Sequence, residues 1–300
     1  MSGLSFNELY TEVQNQVGDT DSTTLTVIKQ AINVGASKFN AVLNRNWRLK
    51  EATFSTVADQ QFYQMPEDCI RPDLITVTIG GTIYTPQVIE DAGLWSRINS
   101  TSSSGNEPDF VYIKGRDLFG FYPIPSSSTS NAGTLLYEPT TRRMTAADYN
   151  TGTITITAGS ATVTGSGTTF TAQMVGRYLK VTDPDGDGSW YKISAYSTTT
   201  TITLENKYGE NVSGANFTIG ELPDIPFEYH EALVDYALYR VYKRRRDATE
   251  ARIAKKDFAD AVKDCKENYS SATSSSYYRP PRLGSALYKY AYRDETVTGS

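Results

Sequence analysis

Residues 221–247 read ELPDIPFEYHEALVDYALYRVYKRRRD, and the reading of this stretch decides the fold. Leu222-Pro223 and Pro226 open it as extended chain. Pro226 also suits the first turn of a helix, where a missing N–H costs nothing. Beyond it, Tyr229, Ala232, Leu233, Tyr236, Ala237 and Val241 fall on one side at helical spacing, and Val234, Leu238 and Tyr242 form a neighbouring row. Two apolar rows make a wider face than a surface helix needs, so this helix is expected to be covered on more than one side. The run Lys243-Arg244-Arg245-Arg246 fits a helix C-terminus, where cations complement the macrodipole and stay solvated or pair with a neighbouring subunit.

Downstream, Ala251, Ala254, Phe258, Ala261, Val262, Cys265 and Tyr269 predict a second helix with a narrow apolar stripe and a charged opposite face. Residues 271–300 then lose all periodicity. SSATSSS reads as a hinge, Pro280-Pro281 favours an extended path, and aromatic and basic residues follow on a segment with no core of its own.

Upstream, Phe6, Leu9, Tyr10, Val13 and Val17 predict a helix stopped by Gly18-Asp19. Ser22 or Thr23 is expected to cap another, with its stripe at Leu25, Ile28, Ala31, Ile32, Gly35, Phe39, Val42 and Leu43. Between residues 51 and 139 the period changes to two. EATFSTV, QQFYQMP, DLITVTIGGTIYTP, DFVYIKGRDLFGFYPIP and GTLLYEP read as short strands, with Gly80-Gly81 as a hairpin turn and residues 94–98 as a short helix. Residues 151–220 form a different piece: six short alternating segments punctuated by Gly, Asp and Asn, as in a small all-β sandwich or barrel.

The expected fold is therefore α+β. A helical bundle from both chain ends carries a β-rich middle and an inserted all-β module. The expected divisions are 1–145, 146–220 for the insertion, 221–270 for the returning helices, and 271–300 for an extended arm. Neither pair of terminal helices can bury its stripe alone, which is the reason for joining them.

The chemistry that is missing narrows the function. His230 is the single histidine of the chain, and His230-Glu231 starts an H-E-x-x-H pattern whose second histidine position is Val234, so no zinc site forms there. A Ser-His-Asp or Cys-His arrangement would need the same residue, and the expected role is a hydrogen-bonded or partly exposed histidine at a helix start. Cys69 and Cys265 lie far apart with no CxxC pattern and read as reduced core residues. In DPDGDGSW, Asp183, Asp185 and Asp187 alternate as in a calcium loop, but Ser194 stands where a bidentate Glu is required, so a plain loop is the preferred reading. There is no GK[ST] loop and no dinucleotide fingerprint, so no cofactor is expected. A net charge of −5 argues against general nucleic-acid binding. The opening MSGLSFNELY has no basic or apolar signal region, and no run reaches the ~18 apolar residues of a membrane span. Twenty-one tyrosines suit wide contact surfaces.

Two N-terminal helices, a β-rich middle ending LLYEP, then LPDIPFEYHEALVDYALYRVYKRRRD and ARIAKKDFADAVKD form an order that resembles the head–tail connector adaptors of tailed bacteriophages. The resemblance covers residues 1–140 and 221–270, and the insertion departs from it. It implies a structural virion protein of the phage neck, made in the host cytoplasm and devoid of an active site. Its expected partners are the portal protein, tail or stopper and nozzle proteins, and further copies of itself in a dodecameric ring whose lumen passes genomic DNA without gripping it. The helix residues Tyr229, Leu233, Tyr236, Leu238, Tyr242, Arg244 and Arg245 are expected at subunit contacts. Tyr277, Tyr278, Arg279, Arg282, Leu283, Leu287, Tyr288, Tyr290, Tyr292 and Arg293 are expected to anchor the arm on the portal.

Two other readings compete. In one, the chain is a tail or baseplate protein whose β module binds a receptor glycan through Trp190, Tyr191 and Tyr196. In the other it is a cell-wall hydrolase with two carboxylates, although nothing in the linear order singles out a pair.

Overall fold

The computed structural model describes residues 3–43, 48–100, 103–182, 184 and 186–269. The chain is mixed α+β. Five α-helices are described: α1 (Phe6–Val17), α2 (Ser22–Asn40), α3 (Ala92–Ile98), α4 (Ala232–Arg245) and α5 (Ala248–Tyr269).

Local chemistry explains their ends. Ser5 and Glu8 form a reciprocal capping box on α1, and Gly18 closes it in the left-handed region at φ 64°. Asp21 caps α2 in place of the expected Ser22 or Thr23. Its carboxylate takes the N–H groups of Thr23 and Thr24, and it adds a full negative charge at the positive end of the helix. Arg246 turns left-handed at φ 62° to end α4, and Asp247 accepts the N–H groups of Thr249 and Glu250 to start α5.

Phe6, Leu9, Ile28, Ile32 and Phe39 share one apolar cluster with Leu233, Ala237, Val241, Phe258 and Cys265. The close approach of α2 to α4 passes over Gly35. A Cβ there would stand 3.2 Å from Leu233 Cδ2 and 3.3 Å from Tyr236 Cδ1, so a residue without a side chain lets the helices meet. Leu233 is fully buried at this contact, and burial of such a side chain stabilises by about 2 kcal/mol.

The middle of the chain forms two four-stranded sheets, ordered β1-β8-β3-β4 and β2-β7-β6-β5. The first comprises β1 (Lys50–Thr56), β3 (Cys69–Ile79), β4 (Thr82–Tyr84) and β8 (Thr129–Pro139). The second comprises β2 (Phe62–Gln64), β5 (Gln87–Ile89), β6 (Phe110–Lys114) and β7 (Leu118–Tyr122). They face each other through Phe54, whose ring centroid lies 5.1 Å from that of Phe119 and 5.8 Å from that of Phe121. Around these rings the middle builds a core of its own, including Ile75, Val111 and Leu135. Gly80 and Gly81 make the β3–β4 turn with φ of 57° and 86°, a two-residue turn that glycine adopts without strain. Trp95 of α3 stacks on Tyr112 at 5.0 Å and seals one side of the second sheet.

Residues 149–220 hold seven strands, one more than the six segments expected. They are β9 (Thr153–Ile156), β10 (Thr162–Ser166), β11 (Tyr178–Val181), β12 (Tyr191–Thr198), β13 (Thr201–Leu204), β14 (Val212–Ala215) and β15 (Phe217–Gly220). They form one sheet in the order β14-β9-β10-β13-β12-β11-β15. Its two edges, β14 and β15, are separated in sequence only by Asn216, so the sheet must curl until they almost meet. The result is a half-barrel around Val163, Phe170, Leu179, Ile193, Ile202 and Phe217.

Candidate functional site

The residues that join these parts converge on the N-terminal segment ahead of α1. Polar groups of Gly3, Leu4, Ser5 and Phe6 meet residues distant in the chain. Trp190 of the half-barrel donates its indole N–H to the Gly3 carbonyl at 2.8 Å. The Leu4 N–H donates to His230 Nδ1 at 3.0 Å, and the Phe6 N–H donates to the Glu221 carbonyl at 2.8 Å. The Ser5 hydroxyl donates to Asp148 Oδ2 at 2.7 Å.

His230 is 1% exposed, so of the two roles expected of it at a helix start the hydrogen-bonded one holds and the partly exposed one does not. The segment before α4 folds back under α1 and covers it. Nδ1 meets both the Leu4 N–H at 3.0 Å and the Leu4 carbonyl at 3.1 Å, and Nε2 faces the Ile225 carbonyl at 3.3 Å, so either tautomer of the neutral ring finds partners. Burial holds the pKa of this imidazole below its usual value, and the ring serves as a neutral connector.

Glu221 is the second connector. It is 5% exposed, and its carboxylate accepts the N–H groups of Thr145 and Ala146 at 2.6 and 2.7 Å and pairs with Arg142 at 3.1 Å. Arg142 also donates to the Gly176 carbonyl of the half-barrel at 2.5 Å. A buried carboxylate with this many donors is satisfied as an anion. Asp148 is less well served. Burial pushes its carboxyl up to about 6, with Glu8 and Glu221 adding repulsion against the opposing Ser5 hydrogen bond and Arg177 charge. Asn33 completes the joint, exchanging hydrogen bonds with both backbone groups of Met144 at 2.7 and 2.9 Å and tying the strap ahead of the half-barrel to α2.

The structure brings several of the expected contact residues into the chain's own interior. Tyr229, Leu233, Tyr236 and Leu238 are each at most 7% exposed, covered by α2 and α5. The Tyr229 hydroxyl bonds Asp264 at 3.1 Å and Asn268 at 3.0 Å, and Tyr236 packs on Phe258 at 4.7 Å. Tyr242 is half-buried against the same cluster, and Arg244 is exposed. Arg245 turns inward to Asp19 at 2.6 Å and to the Val17 carbonyl at 3.2 Å, closing the end of α1.

Trp190, Tyr191 and Tyr196 do not form a stacking platform. Trp190 is committed to Gly3. Tyr191 packs on Tyr208 at 4.8 Å with its hydroxyl on Asp187 at 2.6 Å, and Tyr196 lies half-buried on the half-barrel core. Asp183 and Asp185 lie outside the described residues. Asp187 spends its carboxylate on Tyr191 and on the Ser189 N–H. Among the described residues no group of three acids, histidines or cysteines is arranged to hold a metal ion. The arm residues from Tyr277 to Arg293 also lie outside the described residues.

Sequence reasoning missed Glu221, Asp148 and Arg142, and it gave Trp190 a different role. All four act across separations of tens to about two hundred positions, and periodicity carries no signal for such pairs. Exposed apolar residues on the paired sheets, Ile83 at 68%, Val88 at 46% and Leu74 at 42%, were likewise not singled out. Ile83 and Leu74 sit on β4 and β3 of the first sheet and Val88 on β5 of the second, each open to solvent. No described helix is long and apolar enough to cross a membrane.

A search of curated proteins returns no match. The family profile described as SU10 adaptor protein matches residues 4–158. The match spans the anchored N-terminal segment, α1, α2, both four-stranded sheets and the first strand of the half-barrel. Covering more than half of the sequence, it shows that the chain belongs to the SU10 adaptor protein family, structural adaptors of bacteriophage virions.

Proposed function

We propose that the chain is a neck subunit that assembles as a homo-oligomeric ring between portal and tail, with its lumen around the DNA channel. The observation that carries this reading is the family match over residues 4–158. On this reading the helices from both chain ends form one bundle, the body of the subunit. The half-barrel, residues 146–220, is a module set on that body. Residues 271–300 reach the portal through their tyrosines and arginines.

Function then lies in shape and attachment rather than in catalysis. An acidic chain suits a channel wall, because a lumen that passes DNA works best without a row of phosphate-binding cations. Arg244 and Tyr242 of α4 and the exposed Leu74, Ile83 and Val88 supply surface for neighbouring subunits. Aromatic, arginine and apolar groups of this kind are the usual anchors of protein interfaces.

Negative-stain imaging of the purified chain with and without portal rings tests the reading. The expected result is a ring of extra density coaxial with the portal. Portals that stay bare at saturating protein, or tight binding of the free chain to duplex DNA at physiological salt, would overturn it.

A further inference from the structure

An open groove of about 700 Å³ runs between α1 and the start of α4. Glu8 and Glu12 line it from α1, and Glu231 and Asp235 line it from the α4 side. No lysine or arginine is among its lining residues. Glu8 caps its own helix and Glu12 accepts from Gln16, bonds that leave both charges in place. Glu231 and Asp235 have no ion-pair partner among the described residues. Asp235 is half-buried, and its carboxyl is pushed up to about 6 by burial and by the charges of Asp257 and Glu231. Four acids around one groove set up a standing repulsion that cations would relieve. Leu4 and Val234 give the groove an apolar wall.

The end of α5 is close by. Tyr269 packs edge-on against Tyr229 at 6.2 Å, and its hydroxyl bonds Glu228. Glu228 precedes Asp235 by seven residues, about 10 Å at helical rise. The ten residues from Tyr269 to Arg279 can span up to about 33 Å when extended. Residues 277–293 carry Arg279, Arg282, Lys289 and Arg293, five tyrosines and no acid. Charge, reach and apolar content therefore match the groove to a segment of the same chain.

We infer that in the free subunit residues 277–293 dock in cis into this groove, with arginine and lysine against Glu8, Glu12, Glu231 and Asp235 and with tyrosine rings against Leu4 and Val234. The arm is thereby sheathed until a stronger site competes for it. Each exposed ion pair is weak, but the tether raises the local concentration of the arm enough for several of them to hold it. The inference concerns the free subunit and stands whether or not the arm's final partner is a portal.

Limited trypsin digestion of the full chain tests it, reading cleavage after Arg282, Lys289 and Arg293. Cleavage should run severalfold faster in the double variant E231K/D235K than in the native chain at low salt, and high salt should remove the difference. Carbodiimide treatment of the native chain should join Lys289 to a groove carboxylate within one molecule. Should E231K/D235K fail to fold by circular dichroism, E231Q/D235N carries the same comparison. Equal cleavage rates at low salt with no such cross-link would overturn the inference. Protection that disappears on dilution would also overturn it, by assigning the groove to the arm of a second copy.

Discussion

Tyr149 and Ile219 exchange both of their backbone hydrogen bonds, at 2.9 and 2.7 Å, so the chain enters and leaves the half-barrel through one antiparallel pair. Residues paired in this way hold their Cα atoms about 5.5 Å apart, a gap that three glycine or serine residues span. Replacing residues 150–218 by such a bridge should leave a helical chain that still melts cooperatively, as followed by circular dichroism. A broad, non-cooperative transition would show that the half-barrel is required for the body to fold.

The indole of Trp190 is the half-barrel's direct hold on the N-terminal segment. Trp190→Phe removes the donor and leaves the Gly3 carbonyl in want of a partner, a loss of about 1 kcal/mol. The expected outcome is a modest drop in melting temperature with the fold retained. An unchanged melt would mean that this contact contributes nothing to the joint.

Gly133 of β8 lies where the strand passes both Phe54 and β3. A Cβ there would stand 2.3 Å from the Thr76 carbonyl oxygen and 2.3 Å from the Phe54 ring, and the backbone oxygen has no room to yield. Gly133→Ala should therefore cost about 3 kcal/mol, at the upper end for overpacking. Chemical denaturation reads the loss, and a variant within error of the native protein would contradict the strand register.

Asp148 gives the joint a pH dependence. Its folded pKa, raised to about 6, lies above the ordinary carboxylate value. The stability it contributes is therefore fully present below about pH 4 and is lost as pH rises through 6. Asp148→Asn keeps an acceptor for Ser5 and removes the charge. It should stabilise the protein at pH 8 by about 1 kcal/mol, allowing for the partial exposure of the group, and leave it unchanged near pH 4. His230 works in the opposite sense. Its depressed pKa gives stability that is present above pH 6.5 and falls as acid protonates the ring, equally in both proteins. Thermal melts of the pair at the two pH values separate the contributions.

Truncation after Ser270 addresses the arm. The truncated chain should stay folded and melt cooperatively, losing only the small stabilisation that the docked arm adds, and fail to attach to portal rings in a sedimentation assay. Normal attachment without residues 271–300 would transfer the portal contact to the body.

The helices, most strands of the middle and the change of texture near residue 150 were legible as periodicity, whereas the three-residue β5 is too short to show a period and the first residues of β8 have a loop's composition. Apolar spacing is a local property that the chain must satisfy wherever it packs. The absence of a second histidine beside His230 was equally plain, because a ligand set needs particular residue types. The stripe of Tyr229, Leu233 and Tyr236 showed that α4 must be covered, yet not by what. Residue types alone do not distinguish an interior face from a subunit face, and in this chain α2 and α5 cover it. The joint was beyond the reach of sequence for a different reason. Ser5 and Asp148, Gly3 and Trp190, and Leu4 and His230 are separated by 143, 187 and 226 positions, and each pair is a single hydrogen bond between common polar groups. Only the packing of the apolar surfaces brought those groups within 3 Å of one another. Once buried there, each had to find a partner, and that necessity made an otherwise ordinary histidine and glutamate the fastenings of the fold.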